Sequence, residues 1–287
     1  MSRSASLFRR LSMALVFVFL YAPILVLIVF SFNDSSSRSV WAGFTLDWYR
    51  ELLRDDLILD AFYTTLAVSV LAAVIATVAG TFAAIGFYNM KRRWRGPLMT
   101  INNIPMVNAD IVTGVSMCLF FVAAFSLWGQ AAEWINASLG TDLPTKLYLG
   151  FGTILIAHIT FNIPYVILSI MPKLRQMDKN LVDAAQDLGC TWMQAFWKVV
   201  VPEIKPGIVN GLLLAFTMSV DDFVISYFTA GSTTANLAMR IYAMTKKRIS
   251  PEVNAISTLL FATVLILLIV INLREASQEK AARKLRR

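Results

Sequence analysis

The sequence predicts an all-α polytopic membrane protein with about six transmembrane helices, and three observations carry that reading. The 287 residues are 57% apolar and only 15% charged, against roughly a quarter charged in a soluble domain. The mean hydropathy is +0.63. Six separate apolar runs reach the roughly twenty residues that a helix needs to cross a bilayer. The runs lack the alternation of a barrel strand, and lipid admits only helices or closed barrels. This composition excludes a cytosolic globular enzyme and a disordered or collagen-like chain.

The first run, about 11–32, follows Arg3, Arg9 and Arg10 and is longer than the core of a signal peptide. No small-x-small cleavage site follows, so it reads as an uncleaved first span. The next loop carries Trp41, Trp48 and Tyr49 beside Asp47, Glu51, Asp55 and Asp56. Aromatic rings near a span end sit at headgroup level, which predicts a short interfacial helix around Leu46 to Arg54. The second span, about 61–88, contains Ala76, Gly80 and Ala84, a small-xxx-small face for close helix packing.

The third span is read at about 98–128. Asn103, Asp110, Thr113 and Gly114 recur along it at helical offsets as a polar stripe. The fourth, about 147–171, repeats the pattern with His158, Asn162, Tyr165 and Ser169. Such stripes hydrogen-bond between helices or line a wet path; for His158 a structural hydrogen bond is favoured over proton relay. The fifth span is placed at about 206–229 with Asp221 and Asp222 inside it, and the sixth at about 255–273. The whole chain, 1–287, then forms one transmembrane domain.

Residues 172–205 make too long a connection for a simple turn. Leu174, Met177, Leu181, Ala184, Ala185 and Leu188 recur at helical spacing, Gly189 breaks the pattern, and Trp192 to Val201 resumes it until Pro202 and Pro206. The element reads as helix, glycine bend, helix.

Charge sets the orientation. Basic residues before the first span, at Lys91 to Arg95, in 172–205 and in the tail account for 18 of the 26 Lys and Arg. By the positive-inside rule these pieces, and both termini, face the cytoplasm. Arg240, Lys246, Lys247 and Arg248 dissent from the outer side. Cys118 and Cys190 imply no disulfide framework, and with the single His158 they make no metal site.

The residues of the long loop resemble a known pattern. Asp183-Ala184-Ala185, three residues, Gly189, nine residues, then Val199-Val200-Val201-Pro202 is similar to the EAA loop of ATP-binding-cassette importer permeases. Asp183 stands for the usual Glu and Val201 for the usual Leu. Further stretches resemble the spermidine/putrescine group of these permeases: Ser31 to Ser35, Asp110 to Val112, Ala157 to Phe161, Ala215 to Val224 and Ser250 to Ala255. Departures are Ala109, where the group has Pro, and a longer outer segment from Gln130 to Thr145.

The resemblance implies a type I ABC importer permease fold in a bacterial inner membrane. It implies a second permease subunit, two ATPase subunits and a periplasmic substrate-binding protein as partners. ATP-Mg would be bound by the ATPase and no cofactor by this chain, which lacks a phosphate-binding Gly-x-x-x-x-Gly-Lys-Ser/Thr. Asp183, Ala184, Ala185, Gly189 and Pro202 would couple to the ATPase.

The membrane residues suggest a cargo independently. A charge inside a bilayer costs about 2.5–3.5 kcal/mol, so buried carboxylates mark function. Asp110, Asp221 and Asp222 have no Lys or Arg within any span to pair with; an arriving polyamine, putrescine or spermidine, would supply the cation. Asn103, His158, Asn162 and Tyr165 join them as candidate pathway residues. Neighbours on a helix diverge by about 100°, so Asp221 and Asp222 are expected to divide between the pathway and another helix or subunit. Another solute (ferric ion, thiamine or an opine) and a proton-coupled secondary transporter are the alternatives. Lipid is an expected partner and nucleic acid is not.

Overall fold

The computed structural model describes residues 3–35, 40–178, 180–247 and 251–285. In chain order these form α1 (Arg3–Phe30), α2 (Asp47–Leu52), α3 (Asp56–Asn89), α4 (Arg92–Val107), α5 (Asp110–Leu139) and α6 (Phe151–Gln176). Then come α7 (Asn180–Asp187), α8 (Trp192–Ala195), a π-helical turn (Phe196–Val200), α9 (Val201–Val220), α10 (Val224–Thr229), α11 (Leu237–Lys247) and α12 (Pro251–Leu285). Among the described residues no strand forms, only an isolated bridge between Asn33 and Phe44.

Among the described residues, six helical stretches are long and apolar enough to cross a membrane: Arg10–Phe30, Asp56–Asn89, Asp110–Leu139, Phe151–Gln176, Trp192–Val220 and Pro251–Ile269. Two spans differ most from expectation, and the third also runs on to Leu139 rather than ending near 128. The third span starts at Asp110, because Asn108 and Ala109 are extended and separate it from α4. Residues 98–107 therefore belong to α4, and Asn103 shares no helix with Asp110. Pro105, three residues before the break, has no N–H to donate to the helix.

The fifth span begins earlier, at Trp192, and ends at Val220 rather than 229. Pro202 does not stop it, although a proline lacks the N–H that a helix interior uses, because it directly follows a π-helical turn. The π-helical turn absorbs the misfit, with Val201 N–H reaching back to the Phe196 carbonyl. Asp221 and Asp222 thus lie in a break between α9 and α10, not inside a continuous helix.

Contacts gather the chain into two units, Asp60–Met239 and Met1–Leu59 with Arg240–Arg287. In the first, α6 is central: Ile154, Val166, Ile167, Ile170 and Leu174 along it are all but fully buried. Val166 is held between two glycines. A Cβ on Gly80 would stand 2.7 Å from Val166 Cγ1, and one on Gly211 would stand 3.2 Å from it. The Ala76, Gly80 and Ala84 face therefore serves close packing, as expected. A second small stripe, Gly207, Gly211 and Ala215, brings α9 against α6 in the same way.

Beyond α5, Gly140 turns the chain at φ 64°. Asn136 then clamps the following segment, bonding Leu143 N–H at 2.9 Å and Leu143 O at 3.0 Å. The long outer segment is thus folded back along its own helix, and Trp128 Nε1 donates to Pro144 O at 2.9 Å.

In the other unit, the Ser31–Ser35 stretch makes a tight turn. Asn33 is buried, donates from Nδ2 to Val40 O and accepts from Ala42 N–H at Oδ1. Helix α2 falls inside the expected 46–54. Two of its rings are tied to this turn: Trp48 Nε1 donates to Asn33 O at 2.8 Å, and Tyr49 stacks on Phe32 at 5.2 Å. Trp41 is half-exposed. Helix α12 packs on α1 and α2. Lys246 lies 4.8 Å from the Tyr242 ring centre. Arg248 of the outer basic cluster, Lys179 and Ser250 lie outside the described residues, as do the side chains of Lys247 and of the tail.

Candidate functional site

The 172–205 segment forms a defined helical corner. Asp178 starts α7 by accepting the Asn180 N–H at 3.0 Å. Gly189, at φ 87°, ends it. Cys190 N–H returns to Ala185 O at 3.0 Å and Gly189 N–H to Gln186 O at 2.8 Å, the paired closure of a Schellman motif. Thr191 then caps α8 reciprocally with Gln194: Gln194 N–H donates to Thr191 Oγ1 at 3.3 Å and Thr191 N–H to Gln194 Oε1 at 3.1 Å. Two helix ends meet within three residues, and each satisfies its own backbone.

Ala185 faces inward, while Asp183, Ala184 and Gly189 are exposed. Leu188 at 87%, Trp192 at 60%, Met193 at 56% and Trp197 at 59% exposure form an apolar surface at the corner. Pro202 lies behind it in the first turn of α9. A cavity of about 490 Å³ opens beside the corner, with Tyr88, Arg95, Asp183, Trp192 and Phe196 among its walls.

The acidic residues gather where two helix breaks come together. Asp110 opens α5. One turn later, a Cβ on Gly114 would meet Phe228 at 2.9 Å and the Val224 carbonyl at 3.3 Å. That contact seats the start of α5 against the start of α10, just after Asp221 and Asp222. The Asp110 and Asp221 carboxylates lie within mutual electrostatic reach, and Asp110 also acts on the Tyr165 hydroxyl. Both carboxylates are exposed. Among the described residues, neither is ion-paired to a basic side chain. Tyr165 packs against Phe161, with ring centres 5.2 Å apart. Phe223 and Tyr227 follow the break, 5.5 Å apart.

Asp222 has a different environment. Its Oδ2 is 3.3 Å from His158 Nε2, and the side chains are 10% and 3% exposed respectively. It does have a partner inside the protein, because the imidazole supplies what a search for Lys and Arg overlooks. Asp222 also accepts Ile225 N–H at 3.2 Å, Ser226 N–H at 2.8 Å and Ser226 Oγ–H at 2.9 Å. Asn236 Nδ2 donates to Asp222 O and to Ser226 Oγ, both at 2.8 Å.

The remaining candidates are ties or lie apart. Asn162 is buried and donates to Ser219 Oγ at 2.7 Å, joining α6 to α9. Ser169 bonds back to the Tyr165 carbonyl of its own helix. Asn103, in α4, accepts from Asn102 at 3.1 Å. Ser226, Asn236 and Ser219 carry the network without having stood out in the sequence. Ser226 follows Asp222 at helical spacing, which is a usable signal. Asn236 comes from a turn 14 residues on, and nothing local marks it.

Over residues 76–287 the chain matches the family described as binding-protein-dependent transport system inner membrane component. The chain belongs to that family. This family member is 37% identical over 249 residues to the putrescine transport system permease protein PotI of Escherichia coli K12, covering 86% of this chain and 83% of the relative. It is 33% identical over 263 residues to the spermidine/putrescine transport system permease protein PotC of Haemophilus influenzae, covering 91% and 94%. Its fold resembles a chain of a bacterial ABC transporter involved in import of the acidic polysaccharide alginate, with TM-score 0.71, 15% identity and 96% of each chain covered. A chain of the MetNI methionine ABC transporter in inward-facing conformations aligns with TM-score 0.56 and 19% identity, covering 78% of this chain and 95% of that one. The fold is that of ABC importer membrane subunits, and the six apolar helices make it a multi-pass membrane protein.

Proposed function

We propose that the chain is the membrane-spanning permease subunit of an ATP-driven importer that carries putrescine or spermidine across a bacterial inner membrane. The relatives PotI and PotC support the cargo class by the transport systems they are named for. The observation that carries the reading in this molecule is the exposed acidic pair, Asp110 and Asp221, beside the half-exposed Tyr165 ring. A flexible dication needs anionic partners for its ammonium groups and aromatic faces beside them. Two like charges within electrostatic reach of each other, neither ion-paired to a basic side chain among the described residues, are relieved when such a cargo arrives.

In this reading a second permease completes the pathway and a periplasmic binding protein delivers cargo. Two ATPase subunits bind ATP-Mg and dock at the α7–α8 corner through its exposed Leu188, Trp192, Met193 and Trp197. This chain performs no hydrolysis. Both termini face the cytoplasm.

The test is uptake of radiolabelled putrescine and spermidine by the assembled importer in proteoliposomes at saturating binding protein. Asp110→Asn and Asp221→Asn each lower the rate about tenfold or more, the loss from about 1.4 kcal/mol of transition-state stabilisation. Unchanged uptake in both variants, with the subunits still co-purifying, rules out a cationic cargo contact at this pair.

A further inference from the structure

We infer that Asp222 is a positioning residue rather than a cargo contact, and that with His158, Ser226 and Asn236 it holds Asp221 toward the cargo. This rests on the polyamine reading above. An ionised carboxylate offers about four acceptor sites. Oδ2 of Asp222 accepts Ser226 N–H at 2.8 Å and Ser226 Oγ–H at 2.9 Å and lies 3.3 Å from His158 Nε2, while Oδ1 accepts Ile225 N–H at 3.2 Å. With Oδ2 filled by Ser226 and the side chain only 10% exposed, Asp222 is turned inward, away from a cargo ammonium.

The proton count closes around it. Ser226 has one hydroxyl proton and gives it to Asp222. Its oxygen then accepts from Asn236 Nδ2 at 2.8 Å and from His158 Nε2 at 2.9 Å, which commits the single Nε2 proton of His158 to Ser226 and leaves the imidazole beside Asp222 at 3.3 Å as a neighbour rather than a donor. The other Asn236 N–H binds the Asp222 carbonyl, and Asn236 Oδ1 accepts Met239 N–H at 2.8 Å. His158, Ser226 and Asn236 are each at most 3% exposed.

A buried network satisfied group by group fixes its members in one arrangement. Here it fixes the side chain of Asp222 and, through its carbonyl, the peptide that leads on to Phe223, and so the residue to which Asp221 is joined. Asp221, the residue before it, is exposed. The two adjacent carboxylates thus divide the work: one is consumed internally, and the other is presented.

The test is a double-substitution cycle on putrescine uptake by the complete importer at saturating binding protein. Ser226→Ala leaves both carboxylates in place and is expected to slow uptake about tenfold. In an Asp221→Asn background it adds less than twofold, because the residue through which it acts is already neutral. His158→Gln, whose amide can replace the Nε2 donor, keeps uptake within twofold, whereas His158→Leu behaves as Ser226→Ala does. This second pair carries the test if Ser226→Ala fails to assemble.

An equal loss from Ser226→Ala in both backgrounds shows a purely structural role and overturns the inference. So does a further tenfold loss from Asp222→Asn in the Asp221→Asn background when Ser226→Ala alone has no effect, since Asp222 then contacts cargo itself. If Asp221→Asn changes nothing while Asp110→Asn slows uptake, Asp221 is not presented to cargo and the inference fails with the polyamine reading intact; if neither changes uptake, both fail.

Discussion

At φ 68°, Gly231 occupies the left-handed region, and a Cβ there would run into the Leu149 carbonyl. Gly231→Ala should therefore destabilise the protein by about 1–3 kcal/mol, read as a lower melting temperature of the detergent-purified complex. Asn33 poses the opposite case, a side chain that cannot be shortened. It bonds both Val40 O and Ala42 N–H, so Asn33→Ala is expected to cost about 1–3 kcal/mol by stranding buried groups. The same melting assay checks it. The Ser31–Ser35 stretch was legible as a resemblance, but its use as a turn clamp was not, because the acceptors come from residues seven to nine positions away. The acidic residues stand out as candidates from charge in an apolar chain. The separate fate of Asp222 was not legible, since it depends on His158 being brought from 64 positions earlier in the chain by the packing of α6.

At the level of helices, the grip on Val166 makes a sharper demand than hydrophobicity does. Gly80→Ala places a methyl group 2.7 Å from Val166 Cγ1 and should cost about 1–3 kcal/mol by overpacking. Val166→Ala in the same molecule makes room and should recover much of that loss in thermal denaturation; failure to recover means that α3 and α6 do not meet there. The Ala76–Ala84 spacing announced this contact, whereas the Gly207–Ala215 stripe went unread because prolines drew attention to that stretch as a boundary. Sequence periodicity also missed both helix breaks. A run of apolar residues looks the same whether or not two of its peptides are extended, and at the second break part of the support, Asn236 on the Asp222 carbonyl, comes from 14 residues on. The α7–α8 corner was more legible, because its stop signal, Gly189, and its start signal, Thr191 with Gln194, are local chemistry.

For the molecule as a whole, the count of six spans followed from run length and composition, which tertiary packing does not alter. The sidedness followed from charge alone, and it can be checked directly. In a chain with Cys118 and Cys190 changed to Ser, a membrane-impermeant maleimide added to spheroplasts should label Asp142→Cys and spare Lys91→Cys. The reverse pattern inverts the topology. A last consequence comes from the meeting of the two breaks, at Asn108–Ala109 and Asp221–Phe223. Each interruption leaves peptide groups that hydrocarbon chains cannot solvate, and irregular backbone at membrane depth persists only against protein or water. A patch around Asp110 and Asp221 that lies at membrane depth is therefore closed to lipid tails. Between cargoes it must be hydrated or shielded by another subunit, so the position of these interruptions fixes where water can enter the membrane part of the assembly.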